Sequence, residues 1–240
     1  MNQINNESLK KYSKNALLGM LAILVYFILP EFQGYILEIF NIDADNMSII
    51  SKIIYIIIFY ILIMFIIILI HSKKLKKDFY DIKKNHKEYF KKYFKYWLIG
   101  LEIMMISNVI ITFISNNNLP SNEESIRELF SISPIYVYFS AVIYAPVVEE
   151  IIFRQSIRNI IPNNILFIIV SGLVFGGLHV IGDVNSVYDL LYIIPYSTPG
   201  FIFAYILAKT DNIFVSMGLH FTHNGLLMAI QFLGLFTGVV

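Results

Sequence analysis

Glu149 and Glu150 stand side by side in an otherwise apolar run, PIYVYFSAVIYAPVVEEIIFRQSIRNII, from Pro134 to Ile161. Carboxylates at bilayer depth cost roughly 2.5 kcal/mol or more each on insertion, so they mark a functional site with a partner nearby. Arg154 supplies that partner four residues after Glu150, in the Glu-before-cation order that favours pairing on one helix face. Adjacent helical positions point about 100° apart, so the two acids cannot face one cavity equally. Glu150 is assigned to Arg154 as structural support. Glu149 is left as the freer, desolvated acid, suited to act as a general base.

His179 follows FGGL, and His220, His223 and Asn224 lie in the last apolar run. With the inner membrane boundary near Ile160 and Ile213, a rise of about 1.5 Å per residue gives their depths. Glu149 is then roughly 16 Å deep, His179 roughly 20 Å, His220 roughly 11 Å and Asn224 roughly 17 Å. In a core about 30 Å thick these residues share one level near the midplane. A carboxylate, two imidazoles and an amide at one depth suit the activation of water against a carbonyl. Glu149 takes the proton, His179 orients the water, and His220 with Asn224 donates to the oxyanion. The reaction class is peptide-bond hydrolysis.

Other side chains read as structure. Phe175 reads as core packing, and Gly176 and Gly177 as points of close helix approach. Arg158 reads as a charge at the membrane edge, and His223 as structural rather than catalytic. There is no HExxH zinc helix, no GxGD (Ile181-Gly182-Asp183 lacks the first glycine) and no GxSG. There is also no cysteine, which removes disulfides and thiolate chemistry. Glu149, His179 and His220 together would make a three-ligand zinc set. Asn224 is not a usual zinc ligand, which favours a site with no metal cofactor, with zinc as the alternative.

These residues need helices to position them. Of the 240 residues, 57% are hydrophobic and 15% charged, with a mean hydropathy of +0.68. Soluble chains carry about 25% charged residues. The fold class is all-α: a polytopic membrane bundle of about seven or eight transmembrane helices, each needing about 20 apolar residues. The spans are 17–36, interrupted by Pro30, then 49–70, 96–114, 135–160, 165–181, 187–208 and 213–236. The sixth is broken by Pro195 and Pro199. The N-terminal MNQINNESLKKYSKN resembles a signal n-region, but no cleavage site follows, so an uncleaved first span is expected.

Ten of the eighteen basic residues lie between Lys73 and Lys95. Between two apolar spans this is a basic cytoplasmic loop rather than a nucleic-acid patch. Its aromatics, Phe79, Tyr80, Tyr89, Phe90, Tyr93 and Phe94, also suit an interfacial helix on anionic lipid. Lys10, Lys11, Lys14, Arg154, Arg158 and Lys209 fall on the same side, with Asp43, Asp45, Glu123, Glu124, Glu128, Asp183 and Asp189 opposite. The expected topology has the N-terminus in the cytoplasm of a cell membrane. The organisation is one membrane domain: residues 1–130 hold the N-terminal spans and the basic loop 73–95, and residues 131–240 hold the core with the polar residues. No internal repeat is visible.

EEIIFR (Glu149 to Arg154), FGGLH (Phe175 to His179) and HFTHN (His220 to Asn224) fit, in order, the motifs EExxxR, FxxxH and HxxxN. From 135 to 236 the chain resembles the CPBP family of intramembrane proteases. That family groups CAAX-prenyl type II proteases with bacteriocin-processing and self-immunity (Abi) proteins. The resemblance implies a multi-span helical fold with a conical cavity. It implies Glu149 as the catalytic carboxylate with His179 beside it, His220 with Asn224 as the oxyanion pair, and Glu150 with Arg154 as support. The Ile/Lys/Asn-rich composition points to an AT-rich bacterial genome. The expected substrate is then a peptide or membrane protein rather than a prenylated one. A non-catalytic immunity or regulatory scaffold and a small transporter are the rival functions.

Overall fold

The computed structural model describes residues 6–115, 121–184 and 187–237. The first five residues of the segment resembling an n-region lie outside the described residues, as does the side chain of Asp183. Among the described residues every regular element is helical. Five helices are long and apolar enough to cross a membrane: Asn6–Ile39, Ile49–Ile114, Pro134–Ile160, Val187–Thr210 and Ile213–Gly234. The protein is an all-α membrane protein.

The chain opens with α1 (Asn6–Ile28), which tightens to a 3-10 turn at Leu29–Phe32 and continues as α2 (Gln33–Ile39). Pro30 has no N–H to extend the α pattern, which accounts for the turn. Next comes α3 (Ile49–Ile114), a helix of 66 residues started by the Ser48 side chain, which accepts from the Ser51 N–H. The segment Lys73–Lys95 is therefore not a loop: the second and third spans are one helix with the basic residues inside it. Lysine, tyrosine and glutamate all tolerate helix, and neither proline nor glycine interrupts the segment.

This helix does not run straight. Lys74 and Tyr96 would be about 33 Å apart along an ideal axis. Lys74 donates to the Asp211 carbonyl at 2.6 Å, and Tyr96 packs on Tyr205 at 5.2 Å between centroids. Those two partners are only about 9 Å apart along their own helix. The two apolar halves of α3 thus flank one core.

After α4 (Ser121–Ile132), the glutamates lie on a composite helix, Pro134–Ile160. It alternates α5 (Pro134–Val137), a π segment (Tyr138–Tyr144), α6 (Ala145–Glu149), a second π segment (Glu150–Ser156) and α7 (Ile157–Ile160). Pro146 cannot donate to the carbonyl four residues back, and at Ala145 the N–H already reaches the Ser140 carbonyl, five back. Such π turns recur at functional sites.

α8 (Asn164–Leu178) is capped by Asn163, whose side chain accepts from the Leu166 N–H. At 15 residues it is about 22 Å long and stops inside a 30 Å core. A 3-10 segment, Val187–Tyr192, leads into α9 (Ile193–Thr210). The sixth span changes character at Tyr192–Ile193, and Pro199 lies within α9 without ending it. α8 and α9 pack so closely that a Cβ on Gly200 would lie 3.0 Å from the Gly172 Cα, and one on Gly176 would collide with Ser197. α10 (Ile213–Thr237) completes the bundle.

Candidate active site

Glu149 closes α6 and Glu150 opens the following π segment. His220, one helix away on α10, meets both. Its Nδ1 lies 3.0 Å from Glu150 Oε1 and its Nε2 lies 3.8 Å from Glu149 Oε2. The two acids do not share a direction, but each addresses a different nitrogen of one ring. The Glu150 side chain is fully buried and Glu149 is 16% exposed, so of the two acids only Glu149 keeps an accessible edge.

Arg154 is also fully buried, with Nε 3.3 Å from Glu150 Oε1. Its guanidinium lies 4.2 Å from the Phe175 ring centre and 5.6 Å from that of Phe203. Among the described residues its Nη atoms find no hydrogen-bond acceptor, so the cation is held by one carboxylate and two aromatic faces. Phe175 therefore does more than fill space: it lies under Arg154, beside His179 at 4.5 Å and edge-on to His220 at 6.1 Å.

His179 caps the C-terminal end of α8, and its Nδ1 lies 2.8 Å from the Phe175 carbonyl. A carbonyl only accepts, so Nδ1 carries the proton and Nε2 keeps its lone pair. The ring stacks on Tyr196 at 5.2 Å and 21°. Its direct partners are thus Phe175 and Tyr196; Glu149 is not among them. Backbone that leaves the helix at this depth is tolerated where it is covered by protein or lines a cavity.

Asn224 donates from Nδ2 to the Ala141 carbonyl at 2.7 Å, inside the first π segment. An amide nitrogen has two hydrogens, so one remains for another acceptor. His223 turns away from the acids, edge-on to Phe203 and against Trp97 and Pro199. Arg158 donates to the Pro162 carbonyl at 2.7 Å, at the end of the composite helix.

Reading the sequence alone misses Phe203, which stacks on His220 at 5.0 Å and 27°, and Tyr196 on His179. Neither carries a sequence signal beyond lying on an apolar span. It also passes over His71, buried on α3 with Nε2 3.3 Å from the Ser156 hydroxyl.

Among the described residues no three His, Asp or Glu side chains are grouped to hold a metal ion. His220 Nδ1 faces Glu150 and His179 Nδ1 faces a carbonyl, which leaves the Nε2 of each ring as the nitrogen that a metal or a substrate would meet.

Residues 131–226 match the model of the family described as type II CAAX prenyl endopeptidase Rce1-like. That segment contains Glu149, Glu150, Arg154, His179, His220 and Asn224. Over that segment the chain is similar to the type II CAAX protease family. It is similar to a Bacillus subtilis (strain 168) protein described as "Putative membrane peptidase YdiL", with 28% identity over 113 residues, 46% of this chain and 43% of that one. It is also similar to an uncharacterized protein of Mycoplasma capricolum subsp. capricolum, with 35% identity over 91 residues, 35% of this chain and 25% of that one. The chain thus matches less than half the length of each curated relative. No solved structure matches it.

Proposed function

We propose that this chain, like the CAAX proteases that residues 131–226 resemble, is an intramembrane endopeptidase that hydrolyses a peptide bond with water activated by Glu149 and His179. The observation that carries the reading is the arrangement around His220: a buried, arginine-paired Glu150 at Nδ1 and a partly open Glu149 at Nε2.

Glu150 accepts from His220 Nδ1 and so fixes the ring's plane; the mechanism uses His220 as the imidazolium, with Nε2–H also a donor, while Arg154 balances the Glu150 charge. Glu149 is then free to take a proton from water, with the His179 Nε2 lone pair orienting that water. The hydroxide adds to the substrate carbonyl. The resulting oxyanion accepts from protonated His220 Nε2 and from the second hydrogen of the Asn224 amide. Collapse breaks the C–N bond. Protonated Glu149 returns its proton to the leaving nitrogen, giving a carboxylic acid and an amine. No step uses a metal. The expected substrate is an apolar peptide or membrane-protein segment in a bacterial cell membrane.

The test is peptide cleavage by the full chain in lipid vesicles. Wild type should cleave, and should still do so after chelation and metal-free preparation. Glu149→Gln and His179→Ala should each lose activity while remaining folded. Cleavage by both variants at the wild-type rate rules out the mechanism, and loss of wild-type activity on chelation rules out its metal-free form.

A further inference from the structure

The mechanism leaves one group of side chains near Glu149 unused. Tyr26 on α1, Tyr60 on α3, and Tyr136 and Tyr144 on the composite helix converge from three elements. The Tyr60 and Tyr144 rings stack at 4.4 Å and 18°, and Tyr136 tilts against Tyr60 at 6.5 Å. Tyr26 stands edge-on to Phe153 at 5.6 Å. Tyr26 and Tyr144 are both within electrostatic reach of the Glu149 carboxylate and of each other.

All four tyrosines are half-buried. Among the described residues the hydroxyls of Tyr26 and Tyr144 have no hydrogen-bond partner. By contrast, Tyr12 donates to the Ile160 carbonyl and Tyr55 to the Gln33 carbonyl, both at 2.7 Å. Buried tyrosines ordinarily find such a partner, and in lipid the alternative is costly.

Peptide hydrolysis inside a membrane creates that kind of acceptor. A helical segment must unwind to expose its scissile carbonyl. Each carbonyl released from its helix then lacks a donor in a medium without water. Phenol hydroxyls within electrostatic reach of the attacking carboxylate supply donors, and do so without reading any side chain.

We propose that Tyr26, Tyr60 and Tyr144 form a hydroxyl-lined subsite that binds the unwound main chain of an apolar peptide substrate beside Glu149. This rests on Glu149 being the catalytic carboxylate. The subsite selects segments that unwind readily over segments of a particular sequence.

The probe is a quenched-fluorescent 20-residue Leu/Ala peptide with a central Gly-Gly, given to the full chain in vesicles. Tyr26→Phe and Tyr144→Phe keep the rings and remove only the hydroxyls. Each should raise KM about fivefold, the worth of one hydrogen bond. The double variant should show both effects, with kcat within about twofold and thermal unfolding unchanged. The same peptide, carrying a photoreactive group, should cross-link to Glu149→Gln protein, and less to Glu149→Gln with both tyrosines replaced. Wild-type KM in the folded double variant, or unchanged cross-linking, overturns the subsite. Cleavage that persists in Glu149→Gln overturns the catalytic reading instead, and the cross-linking comparison then still decides the subsite. If wild type does not cleave this peptide, that comparison decides it alone.

Discussion

The two glutamates differ by one position and by what surrounds them. Glu150 is sealed between Arg154 and His220, and removing its charge leaves a buried guanidinium without its counter-ion. Breaking a buried pair in this way costs about 3–5 kcal/mol. Glu150→Gln should therefore lower folded protein and thermal stability as well as activity. Glu149→Gln should abolish turnover while accumulating and melting like wild type. Equal stability and equal loss of activity in the two variants, measured on purified protein, would contradict the division of roles. Asn224 is anchored to the Ala141 carbonyl by one amide hydrogen. Asn224→Ala should reduce kcat by about 10²–10³-fold, the usual cost of one oxyanion donor, with a smaller change in KM. A fall confined to KM would assign Asn224 to binding. The proximity of Glu150 and Arg154 was legible in their i,i+4 spacing. The bracketing of His220 by both acids was not, because an ideal α-helix turns Glu149 about 100° away from Glu150. Pro146 was the available signal that the helix around the glutamates departs from ideal geometry.

At the scale of elements, close helix contact and one polar clasp hold the site residues in register. Gly176, three residues before His179, meets Ser197 so closely that a Cβ would lie 2.6 Å from the Ser197 backbone nitrogen. Gly176→Ala should push α8 from α9, cost about 1–3 kcal/mol and displace His179. A thermal unfolding curve that superposes on wild type would show that the helices have room to move. The clasp joins α3 to the start of α10. Asn212 donates to the Asp78 carbonyl at 2.9 Å and to Asp81 Oδ2 at 2.7 Å, and Asp78 Oδ2 accepts from the Ile213 N–H at 3.2 Å. The Asn212 hydrogen bond, aided by Tyr89 and Asn85, holds the Asp81 carboxyl below the usual carboxylate range. With its folded value depressed, Asp81 contributes stability that is present above the unfolded value of about 3.9 and is lost as pH falls through the folded value. Asn212→Ala should be less stable than wild type at pH 7, with the gap closing below about pH 4. A gap independent of pH would remove Asp81 from the account. This clasp was hidden in the sequence because a polar run between two apolar spans reads as a loop. The absence of proline and glycine from Lys73 to Trp97 was the sign that the helix continues.

For the whole molecule, the bundle brings helices from distant parts of the chain to one site. α1 and α3 supply the tyrosines, the composite helix the acids, α8 the end that carries His179, and α10 His220 and Asn224. Composition alone made the all-α membrane architecture legible, and motif order made the resemblance to CAAX proteases legible over the C-terminal part. The first 130 residues read only as generic spans. Their part in the site depends on how α1 and α3 pack, which periodicity does not reveal. The central claim is that this arrangement makes Glu149 a peptide-hydrolysing base. Its most direct test is mass-spectrometric comparison of membrane-derived peptides from cells carrying wild type with those from cells carrying Glu149→Gln at equal abundance. The account predicts a set of cleaved apolar segments present with wild type and absent with the variant; identical peptide sets from the two would contradict it.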